Sequence, residues 1–261
     1  MAPVLRINRL RKHFGGVAAL NGPSFAVEAG TITGLIGPNG SGKTTLFNLI
    51  TGVLDPDGGD VLLNDERITG WPPHRITERG LARTFQITRV FGKMTVLENM
   101  LVVPHRGGDA HAADLATELL ERVNLYDWRE RYGAELSYGQ QKLLEFVRAL
   151  MLEPNLILLD EPFAGVNPTM VQTILDLIRS LRQEGKTIFV IDHAMTVMMG
   201  LCDWLFVLDM GELIATGPPA AIQADERVLE AYFGRGSAGS ASPARGGLPS
   251  PPSADEGRVR A

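Results

Sequence analysis

Apolar positions in this chain fall into two patterns. Ile32 to Ile36, Leu156 to Leu159 and Thr187 to Ile191 are short, nearly uninterrupted apolar runs. Such runs suit strands buried on both faces of a parallel sheet. Val4 to Leu10 alternates apolar and polar residues instead, as a half-buried strand does, and Ser24 to Val27 reads as another short strand. Phe14-Gly15-Gly16 predicts a turn, Val61 to Leu63 with Arg67-Ile68 a small hairpin, and Leu81 to Phe85 a strand. Trp204 to Asp209 and Glu212 to Thr216 flank a Met210-Gly211 turn.

Between these lie helical stretches. Thr45 to Ile50 follows a glycine-rich loop, and Pro72-Pro73 opens a short helix through Arg79. Thr95 and Glu98 have capping-box spacing. Leu115, Leu119, Leu120 and Val123 recur at helical spacing within Ala113 to Val123. Ser137 precedes a helix to about Met151, Asn167-Pro168 starts one that stops near Gly185, and Ala194 to Leu201 and Asp225 to Phe233 close the series. The fold predicted is α/β, with a helical insert at about 96–152 inside a domain spanning 1–234. Residues 235–261, rich in Gly, Ser, Pro and Ala, predict a disordered tail.

Composition changes this picture little but excludes several partners. The chain has 261 residues and a net charge of -5, with no basic excess to displace counterions from nucleic acid, so no nucleic-acid partner is expected. One cysteine, Cys202, allows neither an intrachain disulfide nor a cysteine cluster for zinc, and it reads as a small buried apolar residue. The Met1 region has no signal-peptide pattern, and the apolar runs fall far short of the ~20 residues that span a bilayer. The expected location is cytoplasmic, with any membrane contact made through a partner.

The richest chemistry lies in Gly37-Pro38-Asn39-Gly40-Ser41-Gly42-Lys43-Thr44, placed between a strand and a helix as the pattern G-x-x-x-x-G-K-[ST] requires. The glycines let backbone N–H groups converge on an anion, and the helix dipole adds to them. Lys43 supplies charge for the β- and γ-phosphates and Thr44 a hydroxyl for Mg²⁺, with Thr45 next in the helix. The chain is expected to bind ATP. Leu156 to Leu159 delivers Asp160 and Glu161 to the carboxyl end of a strand, where open α/β sheets place their chemistry. Asp160 suits the Mg²⁺ hydration shell, and Glu161 suits accepting a proton from water. Thr187 to Ile191 delivers Asp192-His193 to the same edge, making His193 a candidate for the γ-phosphate.

Ser137 and Gly139 open the helix after Leu136 and form a second anion-binding device, although an ordinary N-cap also accounts for Ser137. Phe14 is either a core aromatic or a stacking face for adenine. Thr88 to Met94 reads equally as a solvated loop or a partner contact. His105, Asp109 and His111 read as polar side chains of a flexible surface segment rather than metal ligands.

The phosphate loop, Leu136-Ser137-Tyr138-Gly139-Gln140, Leu156 to Pro162 and His193, in that order, resemble the ATP-binding subunit of an ABC transporter. The likeness covers about Val4 to Gly234. It implies a P-loop NTPase core with a mixed β-sheet, a small antiparallel β subdomain and a helical subdomain. It assigns Gln86 to Mg²⁺ and the attacking water, Glu161 as catalytic base, His193 to the γ-phosphate and Phe14 to adenine. Ser137 and Gly139, within the element that ends at Gln140, would bind the ATP of a second subunit, so that two chains, identical or different, sandwich two ATP. Three positions depart from the common pattern: Phe14 for Tyr, Tyr138 for Gly and Asn167 for Asp.

Several segments are further similar to the ATPases of branched-chain amino acid importers. They are Ala82 to Gln86, Val96 to Asn99, Leu136 to Gln141, Ala164 to Pro168 and Ile191 to Met195. The partners implied are membrane permease subunits and a solute-binding protein, with the chain peripheral on the cytoplasmic face. Urea or amide importers and the lipopolysaccharide-export ATPase are near relatives. A non-transport protein of this family acting on DNA or the ribosome is the alternative from another class.

Overall fold

The computed structural model describes residues 2–84, 89–104 and 107–233. The first strands form an antiparallel sheet: β1 (Pro3–Phe14) pairs with β2 (Val17–Asn21), β3 (Phe25–Glu28) and β5 (Gly58–Leu63), and β6 (Glu66–Arg67) extends β5. β1 runs beyond the expected Leu10, with an irregular register between Asn8 and Arg11, where Arg9 has φ 46°. β2 was not expected from the pattern. It is mostly exposed and is defined by its ladder to β1, Phe14 opposite Val17 and Arg11 opposite Asn21.

The larger sheet collects the apolar runs. β4 (Ile32–Ile36), β8 (Leu156–Asp160) and β9 (Thr187–Ile191) are buried at every position. With β7 (Leu81–Arg83), β10 (Trp204–Asp209) and β11 (Glu212–Gly217), the order is β11-β10-β4-β9-β8-β7. All neighbours are parallel except β11, which returns antiparallel to β10. Side chains alternate between two cores. Leu35, Leu158, Phe189 and Phe206 face the first sheet and helix α1 (Lys43–Ile50), and Ile36, Leu159, Val190 and Val207 face the other way. Phe25, Phe47, Phe189 and Phe206 form a connected aromatic cluster in the first core.

Helix α2 (Pro73–Glu78) precedes β7. Between β7 and β8 come α3 (Val96–Leu101), α4 (Gly108–Arg122), two 3-10 turns and α5 (Tyr138–Leu150). The expected capping box holds: Thr95 Oγ1 accepts from the Glu98 N–H at 3.1 Å, and Glu98 Oε2 accepts from the Thr95 N–H at 2.7 Å. α4 starts at Gly108, ahead of the expected Ala113, because its first residues are solvent-facing and carry no apolar period.

After β8 come α6 (Pro168–Gln183), α7 (Met195–Leu201), α8 (Pro219–Gln223) and α9 (Glu226–Phe233). α8 was not expected from the sequence and has a single buried side chain, Ile222. Cys202 is buried, and burial, helped by the nearby Asp203 charge, pushes its thiol up to about 12, the behaviour of an inert core residue. Among the described residues no helix is long and apolar enough to cross a membrane.

Candidate functional site

Three neighbouring strands end together. β4 runs into the glycine-rich loop, β9 into Asp192-His193 and β8 into Glu161, with β9 lying between the other two. The ends are tied to one another: Asp160 pairs with Ile191, and the Glu161 N–H donates to the Ile191 carbonyl at 2.8 Å. A cavity of about 540 Å³ opens at this edge, lined by Gly37, Pro38, Asn39, Glu161, His193 and Tyr232. The loop, Glu161 and His193 expected from sequence thus share one cavity, while Asp160, one residue before Glu161, lies outside its lining.

The loop is held from outside as well as by its own bonds. A Cβ at Gly37 would lie 2.0 Å from the Leu208 carbonyl oxygen, and one at Gly42 would lie 2.4 Å from that of Ala19, with φ at 104°. Both positions require glycine on space alone. The Ser41 N–H donates to the Pro38 carbonyl at 3.2 Å, and the Gly211 N–H donates to the Ser41 carbonyl at 3.0 Å. Lys43 is buried and folds back over the loop, donating to the Gly37 and Pro38 carbonyls at 2.8 Å each. Burial lowers its pKa, while Glu161 and Asp160 favour its charged form. Asn39, Gly40 and Thr44 are exposed, and Thr45 is half-buried.

Asp160 is 2% exposed. Its Oδ2 accepts from Arg83 Nη2 at 2.7 Å, and its Oδ1 is buried without a hydrogen-bond partner among the described residues. Burial raises its pKa, Arg83 opposes the rise, Glu161 adds to it, and Lys142 lowers it. A buried carboxylate with one vacant oxygen, whose charge also acts on Lys43 at the start of α1, has the donor chemistry of a hard-cation ligand. Arg83 also donates to Asn48 Oδ1 at 2.7 Å and Thr51 Oγ1 at 3.0 Å, joining α1 to β8.

Glu161 has φ 49°, a left-handed conformation that costs a non-glycine residue on the order of 1 kcal/mol or more. Asp192, fully buried, holds two loops at once. Its Oδ2 accepts from the Phe163 N–H at 3.2 Å and its Oδ1 from the Ala194 N–H at 2.9 Å, fixing the segments after Glu161 and around His193. Tyr232 reaches the cavity from α9. Its hydroxyl is buried without a hydrogen-bond partner among the described residues and faces the Gly37 backbone, and burial pushes it up to about 12.

Ser137 caps α5, with a reciprocal box in which Gln140 Oε1 accepts from both the Ser137 N–H and its Oγ at 2.9 Å. Ser137 is exposed, and neither it nor Gly139 lines the cavity of its own chain. Asn167 Oδ1 caps α6 by accepting from the Met170 N–H at 2.9 Å, work an aspartate would do equally. Phe14 is 48% exposed at the end of β1, with Lys12 Nζ 5.8 Å from its ring, so the core alternative is excluded. His111 Nε2 lies 3.4 Å from Glu153 Oε1 on the surface. Gln86, His105 and residues 234–261 lie outside the described residues.

Sequence reasoning assigned no role to Arg83, Asp192 or Tyr232. Arg83 carried a signal, a charge inside a strand-like run, and Asp192 sits just after its strand as Glu161 does. Tyr232 carried none, since only folding brings α9 to the loop.

The sequence model of the family described as "ABC transporter" matches residues 20–164, and that described as "Branched-chain amino acid ATP-binding cassette transporter" matches residues 212–238. Two curated relatives are the high-affinity branched-chain amino acid transport ATP-binding proteins BraF of Pseudomonas aeruginosa and LivG of Escherichia coli K12. Each is 38% identical over 250 residues, covering 89% of this chain and 98% of the relative. The solved ADP conformation of an ATP-binding cassette of an ABC transporter is 34% identical, with TM-score 0.81 over 90% of this chain and 100% of that one.

Proposed function

This chain belongs to the ATP-binding subunits of ABC transporters, and on that premise we propose that it energises the import of branched-chain amino acids through a membrane permease. As a member of the family it is an ATPase whose hydrolysis is coupled to transport. The observation that carries the site assignment is the convergence of the phosphate loop, Glu161 and His193 on one cavity. The substrate class is supported by the relatives and by the 212–238 match, which includes the helix carrying Tyr232.

In this reading the backbone of Gly37 to Thr45 cradles the phosphates, Lys43 neutralises the β- and γ-phosphates, and Phe14 stacks on adenine. Asp160 Oδ1 and the Thr44 hydroxyl would hold Mg²⁺, joined by Gln86. The cation would neutralise charge on the transferred phosphoryl group. Glu161 accepts the proton of the attacking water, and His193 contacts the γ-phosphate. Ser137 and Gly139, neither of which lines the cavity of its own chain, close over the ATP of a second subunit, identical or different.

A groove of about 600 Å³ beside the insert is the proposed seat of the permease. Exposed Phe91 and Val102 form its apolar rim beside Arg89 and Arg148. The chain would then sit peripherally on the cytoplasmic face, in a complex that includes a solute-binding protein.

Reconstitution with its permease partners in proteoliposomes tests the substrate. ATP-dependent uptake of leucine, isoleucine or valine is expected, whereas uptake of urea or amides alone, or co-purification with ribosomes in place of membranes, would overturn the reading. Lys43→Ala is expected to weaken ATP binding roughly 10–100-fold, the worth of a charge-assisted hydrogen bond of about 1.5–3 kcal/mol. Titration with a fluorescent ATP analogue measures it, and unchanged affinity would remove Lys43 from the site.

A further inference from the structure

Burying a lysine is unfavourable unless its ammonium finds a partner. Lys142, the fifth residue of α5, is 7% exposed. Its Nζ donates to the backbone carbonyl of Glu161 at 2.6 Å and lies 5.5 Å from the centre of the Tyr138 ring. Glu161 is thus gripped on both sides of its left-handed backbone, its N–H by Ile191 at the end of β9 and its carbonyl by Lys142. Tyr138 reaches the same segment further along. A Cβ at Gly165 would lie 3.1 Å from its ring, so the ring packs directly on the loop that Asn167 ends. The first turn and a half of α5 therefore braces the segment from Glu161 to Gly165 at two points.

We propose that Lys142 is a positioning residue for hydrolysis, holding the Glu161 backbone so that its carboxylate faces the phosphate cavity and tying that placement to the position of α5. The inference rests on the reading of Glu161 as the base and of Ser137 and Gly139 as contacts to the second subunit's ATP. The helix that engages the nucleotide across the interface at its N-terminus then sets the base of its own subunit five residues later. Tyr138, in the place of the family's frequent glycine, stiffens this linkage by lying under the Lys142 ammonium and against Gly165 together.

The test measures ATP hydrolysis by the full-length protein carrying Lys142→Met or Lys142→Arg, each also combined with Glu161→Gln under single-turnover conditions. Lys142→Met is expected to lower kcat on the order of tenfold, as misplacing a reacting group does. KM for ATP should stay within about twofold, because ground-state binding is untouched. Lys142→Arg, which keeps a donor in reach, should retain most of the rate. In the Glu161→Gln background Lys142→Met should cost nothing further, since residues acting through one group are not additive.

Full kcat in Lys142→Met, or an equal fall in both backgrounds, would overturn the proposal. If Lys142→Met does not melt cooperatively, Lys142→Gln, too short to reach the carbonyl, carries the same comparison. Near-normal turnover by Glu161→Gln would remove the base assignment itself. An inactive Glu161→Gln beside a fully active Lys142→Met would defeat the positioning role alone.

Discussion

Glu161→Gln is expected to slow ATP hydrolysis by roughly 10²–10⁴-fold, the contribution of a positioned general base, while ATP still binds. The substitution is nearly isosteric. The backbone grip from Ile191 and Lys142 does not involve the side chain and should survive it. What disappears is the ability to take a proton at the cavity shared with His193 and the phosphate loop. In the proposed reading ATP closes the paired subunits and hydrolysis reopens them, so the variant should accumulate as an ATP-bound dimer. Phosphate release measures the rate, and size-exclusion chromatography with ATP against ADP measures the dimer. Near-normal phosphate release would falsify the assigned role.

Arg83→Met is expected to destabilise the nucleotide-free protein by about 3–5 kcal/mol, the cost of stranding one partner of a buried ion pair. The side chains of Arg83 and Asp160 are only 6% and 1% exposed, so water does not compensate. At roughly 2–4 °C per kcal/mol for a domain of this size, the melting temperature should fall by about 10 °C. Arg83→Met combined with Asp160→Leu should regain much of the loss, because an apolar pair leaves no orphaned charge.

The pH dependence has a definite sign. Burial already raises the Asp160 pKa, and losing Arg83 removes the largest influence opposing that rise. A carboxyl whose folded pKa is raised contributes most stability below its unfolded value and loses that contribution as pH rises through the folded one. The gap between Arg83→Met and the parent should therefore narrow on acidification. A gap that stays constant with pH, measured by thermal melts, would assign the loss to packing instead.

The parallel strands and the phosphate loop were legible because their signals are local. A strand buried on both faces is continuously apolar, and a phosphate cradle needs glycines and a lysine at set spacing. β2 and the start of α4 were not legible, since pairing and solvent-facing residues define them without an apolar period. Within the candidate site, the strand-end residues Asp160, Glu161 and His193 could be placed from sequence alone. Arg83, Asp192 and Lys142 could not, because each works through contacts far along the chain: Arg83 on Asp160, Asp192 on Phe163, Lys142 on Glu161. The alternatives left open for Phe14 were separable only by exposure, which the strand pattern does not encode.

The strand order has a metrical consequence. With β9 lying between β4 and β8, the phosphate loop and Glu161 stand two ladder spacings apart, roughly 9–10 Å at the usual 4.7–4.9 Å per strand. That interval is set by backbone hydrogen bonds, which side-chain substitutions other than proline leave in place. The sheet therefore works as a ruler cut to about the length of a polyphosphate. Replacements at the surface or in either core can detune the groups at its ends, but they leave the interval itself unchanged.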